Sequence, residues 1–208
     1  MLMLRKTYAV VVLLLVTTLA AYCQEEKKPS EYAVLLARVK SGDLSIDFKQ
    51  LRFSYMESPE RHQAKDTDEQ KKAMFEALKK NDYAKALHNA DLVLENEFVD
   101  LEAHRVKQIA CEALNDEQKA AFHQAVTRGL LKSILDSGDG KSAATAYVVI
   151  SVHEEYIVLQ ALGLRPSGQS VVHLDGHSYD VLEAKKKDSG AGVKLFFNVD
   201  IPFRHYLN

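Results

Sequence analysis

The chain has 208 residues, 47% of them hydrophobic and 27% charged, with a net charge of −2 and two cysteines. A chain of this length can bury a core that holds the fold without covalent staples. Its 27 basic and 29 acidic side chains are interspersed, which excludes the basic face of a nucleic-acid binder. RNP, zinc-finger and basic-leucine patterns are also absent.

Arg5 and Lys6 precede an apolar run from Ala9 to Ala21, interrupted only by Thr17 and Thr18, and the polar AYCQEEKKPS follows. A basic start, a short apolar core and small residues at a cut site describe a secretory signal peptide. The run is shorter than the roughly 18–20 apolar residues of a spanning helix, so no transmembrane segment is expected after cleavage. Cleavage is expected after Ala21 or Cys23, which places the mature chain in the periplasm or outside the cell. Cys23 would carry the lipid of a lipoprotein, but Tyr22 stands where that processing wants a small side chain. Residues 1–23 contain Arg5 and Lys6 and no acid, so their loss leaves a net charge of −4. It also leaves Cys111 alone, with no intramolecular disulfide. In KQIACEAL, without an activating pattern, Cys111 reads as a small buried apolar residue.

Residues 24–137 read as successive helices. Ser30 caps EYAVLLARVK and Gly42 stops it; Asp47 caps FKQLRFSYM, with Phe48, Leu51 and Tyr55 on one face. SPERHQAKD, containing Pro59, is a polar connection. Thr67 with Gln70 forms a capping box for a helix to about Lys80. Asp82, Asp100 and Asp116 open three more, the first with Leu87, Ala90 and Leu94 on one face and the last running through Ile134.

NDYAKA, Asn81–Ala86, recurs as NDEQKA, Asn115–Ala120, at an offset of 34 residues. That period, with Tyr83 and Ala86 at their family positions, resembles a tetratricopeptide helix pair over Thr67 to Gly129. Glu117 replaces the tyrosine in the second copy, neither copy has the turn glycine, and two repeats are too few for a long solenoid.

The turn SGDGKS follows, with Gly138 expected at the positive φ of a helix C-terminus. It is not a phosphate loop: Leu135 stands where the first glycine belongs, and the segment runs from helix to strand. Nor is it a calcium loop, since Leu135 and Ser137 occupy acid positions. Residues 138–208 form a small α/β region expected to pack on the helices as one compact unit. AYVVIS reads as a buried strand, and Ser151 caps VHEEYIVLQALG with Glu154 at the capping-box position and Gly163 as the stop. RPSG turns the chain. QSVVHL, HSYDVLEAK and VKLFFNVDI then form an antiparallel meander through DG and KKDSGAG turns, ended by Pro202. The fold class is therefore α+β, helical hairpins followed by a small, mainly antiparallel sheet.

His153-Glu154 begins a zinc-protease motif, but Ile157 occupies the second ligand position; Glu154 and Glu155 instead favour the positive end of the helix dipole. GxSxG does not occur. His173, Asp175 and His177 alternate and could share one strand face as metal ligands, although Asp175-Gly176 is also a hairpin turn that splays the histidines.

GDGKSAATAYVVISVHEEYIVLQALGLRPSGQS, DGHSYDVLEA and LFFNVDIPF resemble a family of exported bacterial proteins, Domain of Unknown Function 4919, over Asp47 to Phe203 and most specifically from Leu130. The resemblance implies export and helices followed by a small sheet, and carries no established activity or catalytic residue.

Three functions compete. The first is a periplasmic or envelope protein that binds a protein or peptide in a groove along its helices. The second is a hydrolase-type or metal-dependent enzyme using polar loops at the sheet's end; the third is a purely structural envelope component. No cofactor and no catalytic residue is assigned. The candidate surface is Asp139, Lys141, Asp175, His177, Tyr179 and Asp180, the first four meeting only if the SGDGKS and DGH turns share one end of the sheet. Tyr179 is expected half-buried and Asp180 facing solvent.

Overall fold

The computed structural model describes residues 28–206; the expected signal peptide, its cleavage sites and Cys23 lie outside them. Seven helices come first: α1 (Glu31–Lys40), α2 (Phe48–Met56), α3 (Pro59–Gln63), α4 (Asp68–Lys79), α5 (Tyr83–Asn96), α6 (Leu101–Ala113) and α7 (Glu117–Leu135). After a 3-10 turn come β1 (Tyr147–Val148), α8 (Val152–Ala161), β2 (Leu164–Leu174), β3 (His177–Lys186), β4 (Gly192–Asn198) and α9 (Asp200–Tyr206). Among the described residues no helix is long and apolar enough to cross a membrane.

Most helix starts follow the side-chain oxygens that satisfy their first N–H groups. Ser30, Asp47, Asp82, Asp100 and Asp116 each accept a backbone N–H from the first turn they open. Three starts differ from expectation. SPERHQ is a short helix, with Ser58 accepting the Arg61 N–H and Pro59 at the first position, where a missing N–H costs nothing. Thr67 makes no side-chain cap; Asp66 instead accepts the Asp68 N–H. Ser151 precedes α8 but its hydroxyl caps nothing.

The two turns of the repeat are built alike. Asn81 and Asn115 adopt φ of 57° and 59°, the left-handed conformation that a glycine supplies elsewhere. The aspartate after each then caps the next helix. α4 packs on α5, α5 on α6 and α6 on α7, giving consecutive helical hairpins.

The sheet order is β1-β4-β3-β2, with β1 parallel to β4 and the other pairs antiparallel, so the sheet is mixed. Of AYVVIS only Tyr147 and Val148 form strand, opposite Phe197 and Asn198. RPSG is not a turn: it lies inside β2, whose ladder absorbs it with a register shift between Pro166 and Gly168. Pro202 lies in α9, after β4 has ended at Asn198. Asp175 and Gly176, with φ of 51° and 81°, make the tight β2–β3 turn. The positive φ in SGDGKS belongs to Gly140, at 69°; Gly138 is needed for space, since a Cβ there would sit 2.3 Å from the Thr145 carbonyl oxygen.

Val126, Leu130 and Ile134 of α7 share one buried cluster with Leu182, Leu195 and Phe197, so helices and sheet close on a common core. A smaller cluster around Met74, Ala90, Val93 and Val106 holds α4–α6 together. Cys111 is buried and unpaired, as its sequence context indicates.

Candidate functional site

The polar residues singled out in the sequence fall into separate places. Asp139 and Lys141 form an exposed ion pair in the loop before β1, where Asp139 also accepts the Thr145 hydroxyl. That hydroxyl, then the Lys141 N–H, hold the Asp139 carboxyl down at about 2. The Gly140 carbonyl accepts the Phe196 N–H, which sets this loop beside β4 before the Tyr147–Phe197 pair. The Asp175-Gly176 turn lies beyond the Tyr179–Asn198 pair, at the other end of the strands and two strands across. Asp139 and Lys141 therefore share no rim with Asp175 and His177.

His173, Asp175 and His177 do not converge either. Their register pairs His173 with Ser178 and His177 with Leu174, which places the two imidazoles on opposite faces. His173 bonds Ser178 Oγ at 3.0 Å, and His177 Nδ1 bonds Asp200 Oδ2 at 2.5 Å. Among the described residues no group of three histidine, cysteine or acidic side chains is placed to hold a metal ion.

Tyr179 and Asp180 are both buried: α9 packs on β3, and α8, which packs on the neighbouring β2, brings Glu155 to Asp180. Asp180 shares a face with Leu182 and Phe197, under α8, and there it meets Glu155. Glu155 is 0% and Asp180 3% exposed. Gln169 Nε2 donates to Asp180 Oδ2 at 2.7 Å, while among the described residues no N–H or O–H donor outside the pair reaches the Glu155 oxygens or Asp180 Oδ1. Burial, reinforced by the charge of Asp180, pushes the Glu155 carboxyl up to about 9. Glu155 is thus protonated at neutral pH and supplies the one proton the pair needs. Its neighbour Glu154 is also buried, and it accepts Arg52 Nε at 2.8 Å, Arg52 Nη2 at 2.5 Å and the Ile150 N–H at 2.8 Å. Both glutamates lie in the first turn of α8, as expected, but buried: one is an ion-pair anchor, the other a neutral acid.

A second buried pair was not visible in the sequence. His104 Nδ1 and His123 Nδ1 lie 2.8 Å apart, and His104 Nε2 is 2.7 Å from the Phe98 carbonyl oxygen. Burial lowers both imidazoles, to about 4 and about 3, so both rings are neutral. The carbonyl accepts only, which puts the His104 proton on Nε2; His123 Nδ1–H then donates to His104 Nδ1. This ties α6 to α7. A histidine on a helix's apolar face gives no sequence signal beyond its position.

Two hollows lie along the seam between the hairpins and α8. One, of about 440 Å³, is polar and is lined by Arg61, Lys65, Lys71, Glu97, Ser151 and His153. In it Lys71 Nζ sits 2.7 Å from Asp100 and 3.3 Å from Glu97. Burial pulls the Lys71 ammonium down, but the two carboxylates outweigh it and hold the group above its usual range. The other, of about 590 Å³, is mainly apolar and is lined by Phe75, Leu78, Val106, Ile109, Leu131 and Ile157 of α4, α6, α7 and α8. Between them Lys71, Glu97, Leu101, Glu102, His153 and Ile157 line a far smaller hollow that shares walls with both. Arg105 Nη1 donates to Gln160 Oε1 at 2.6 Å, bridging α6 and α8 across the apolar hollow. The apolar hollow is thus a furrow between α4, α6, α7 and α8, with the polar hollow as its neighbour.

The family described as Domain of unknown function (DUF4919) matches residues 18–208, and the chain belongs to it. No curated protein and no solved structure matches the chain.

Proposed function

We propose that this member of the DUF4919 family is an exported binding protein that holds an apolar segment of a protein or peptide in the furrow between its helical hairpins and α8. The observation that carries this reading is the apolar hollow of about 590 Å³. Ligand sites are concave and mostly apolar, with a few polar groups that set orientation. Phe75, Leu78, Ile109, Leu131 and Ile157 stay partly exposed there, rimmed by Glu102, Arg105 and Gln160.

Ile109 belongs to neither buried cluster, so changing it tests the hollow without opening the core. Ile109→Glu is expected to leave the unfolding free energy within about 0.5 kcal/mol of wild type. It should also cut recovery of cross-linked partner from the native envelope at least tenfold. Undiminished recovery overturns the furrow as the binding site.

Export rests on the basic start and short apolar run of residues 1–23. N-terminal sequencing of protein from the native host is expected to begin at Tyr22 or Gln24. An intact Met1, or a lipid on Cys23, overturns that expectation.

A further inference from the structure

β2 lies at the edge of the sheet, eleven residues long, with only Leu164 buried. Proteins usually guard such an edge with charges or make it short, because its unpaired N–H and C=O groups recruit another strand. Here residues 166–174 carry no lysine, arginine, aspartate or glutamate, and Pro166 guards only the first end. Among the described residues six large apolar side chains stand out as exposed, and four lie on or next to this strand: Val171 and Leu174 on its two faces, Tyr156 on the adjoining α8, and Leu162 in the link from α8 to β2. Tyr156 is fixed to the edge by its hydroxyl, which donates to Gln169 Oε1 at 3.2 Å.

We propose that β2 pairs antiparallel with β2 of a second copy of this chain, about a two-fold axis at Val171. The regular part of the β2 ladder runs from Gly168 to Leu174, and Val171 is its centre. In this register Val171 faces its own copy, Gln169 faces His173, and Gly168 faces Leu174. No like charges meet. The two charges bordering the segment are Arg165 at one end and Asp175 at the other. Antiparallel pairing brings each Arg165 towards the Asp175 of the other chain, within reach of a long side chain on the diagonal. Parallel pairing would set like against like. The strand is therefore its own complement, as a two-fold interface requires. β1, at the opposite edge, has two residues, so extension stops at a dimer with one eight-stranded sheet.

Directly opposed residues in an antiparallel pair have Cα atoms about 4.5–5.5 Å apart, a span that a disulfide bridges. Val171→Cys, in protein as processed by the native host, is expected to oxidise to a covalent dimer. Thr145→Cys, exposed in the loop before β1, should stay largely monomeric. Cys111 is buried and contributes little to either result, and both variants carry Cys23→Ser so that a Tyr22 start adds no thiol. Val171→Lys sets like charges face to face at the axis, and sedimentation equilibrium should show dimerisation weakened at least tenfold, with the thermal midpoint unchanged once both proteins are diluted to monomer. Wild-type protein that sediments as a monomer at submillimolar concentration overturns the proposal, as does a Val171→Cys variant that cross-links no faster than Thr145→Cys. A monomeric chain whose β2 instead captures a foreign strand also overturns it, in favour of strand addition by another protein.

Discussion

Arg52→Met is expected to cost about 3–5 kcal/mol of unfolding free energy, the range for breaking a buried ion pair from one side. Arg52 is 0% exposed, and four of the five N–H groups of its guanidinium are committed. Two of its nitrogens hold Glu154, and it also donates to Ser133 Oγ and the Val148 carbonyl. One side chain thereby fastens α2 to α7, β1 and α8. Methionine fills similar space but strands the Glu154 carboxylate in the core, where an unpaired charge is far more costly than a neutral group. Arg52→Met/Glu154→Gln removes that charge while the amide oxygen still accepts the Ile150 N–H. The double variant is expected to recover at least half of the loss. Urea unfolding of the two variants and wild type measures both effects. A loss under about 1 kcal/mol for the single variant would show that the clip is dispensable.

Glu155→Gln is expected to act in the opposite direction and stabilise the protein at neutral pH. Glu155 moves from 4.5, its ordinary value, to about 9 on folding, first through burial and then through the charge of Asp180. Between those values the folded state holds a proton that the unfolded state has lost. Stability from this group is therefore fully present below about pH 4.5 and falls by about 1.4 kcal/mol per pH unit above it, until the pH passes the folded value. At pH 7 the loss is about 3 kcal/mol, set by the distance of pH 7 from the unfolded value as long as the folded value lies higher. Glutamine needs no proton, and its amide can donate to Asp180 as the protonated acid does. The variant should gain about 2–3 kcal/mol over wild type at pH 7, and the gain should vanish near pH 4–5. Denaturant unfolding across that range checks both features; a difference that does not vary with pH would mean that Glu155 is ionised in the folded protein.

What the sequence reveals and what it conceals divide by range. Ser30, Asp47, Asp82, Asp100 and Asp116 are legible because a cap acts within three residues of itself. The Asp175-Gly176 turn is legible for the same reason. Arg52 is not, because FKQLRFSYM gives no sign that its arginine points inward to a partner 102 residues away. Asp180 reads as a solvent-facing strand residue, since burial under α8 is a tertiary fact. RPSG holds three turn formers, yet the pairing of β2 with β3 overrides local preference. The shared rim fails because it depends on strand order, and β4 lies between β1 and β3. The furrow is legible only as an expected groove along the helices; that α8 supplies its far wall is visible only in the folded chain.

The parallel pairing of Tyr147 with Phe197 fixes when the molecule can close during its synthesis. As the chain emerges, α1–α7 are complete before β4 exists, and the faces of Val126, Leu130 and Ile134 lack the Leu195 and Phe197 that later cover them. Such distant contacts give nothing back until the intervening loop has been ordered, so they form late and slowly. The nascent chain therefore passes through an interval in which its main core is half built and sticky. A ribosome-bound chain ending before residue 192 has no β4, and it is in that state, rather than after release, that a chaperone has most to shield.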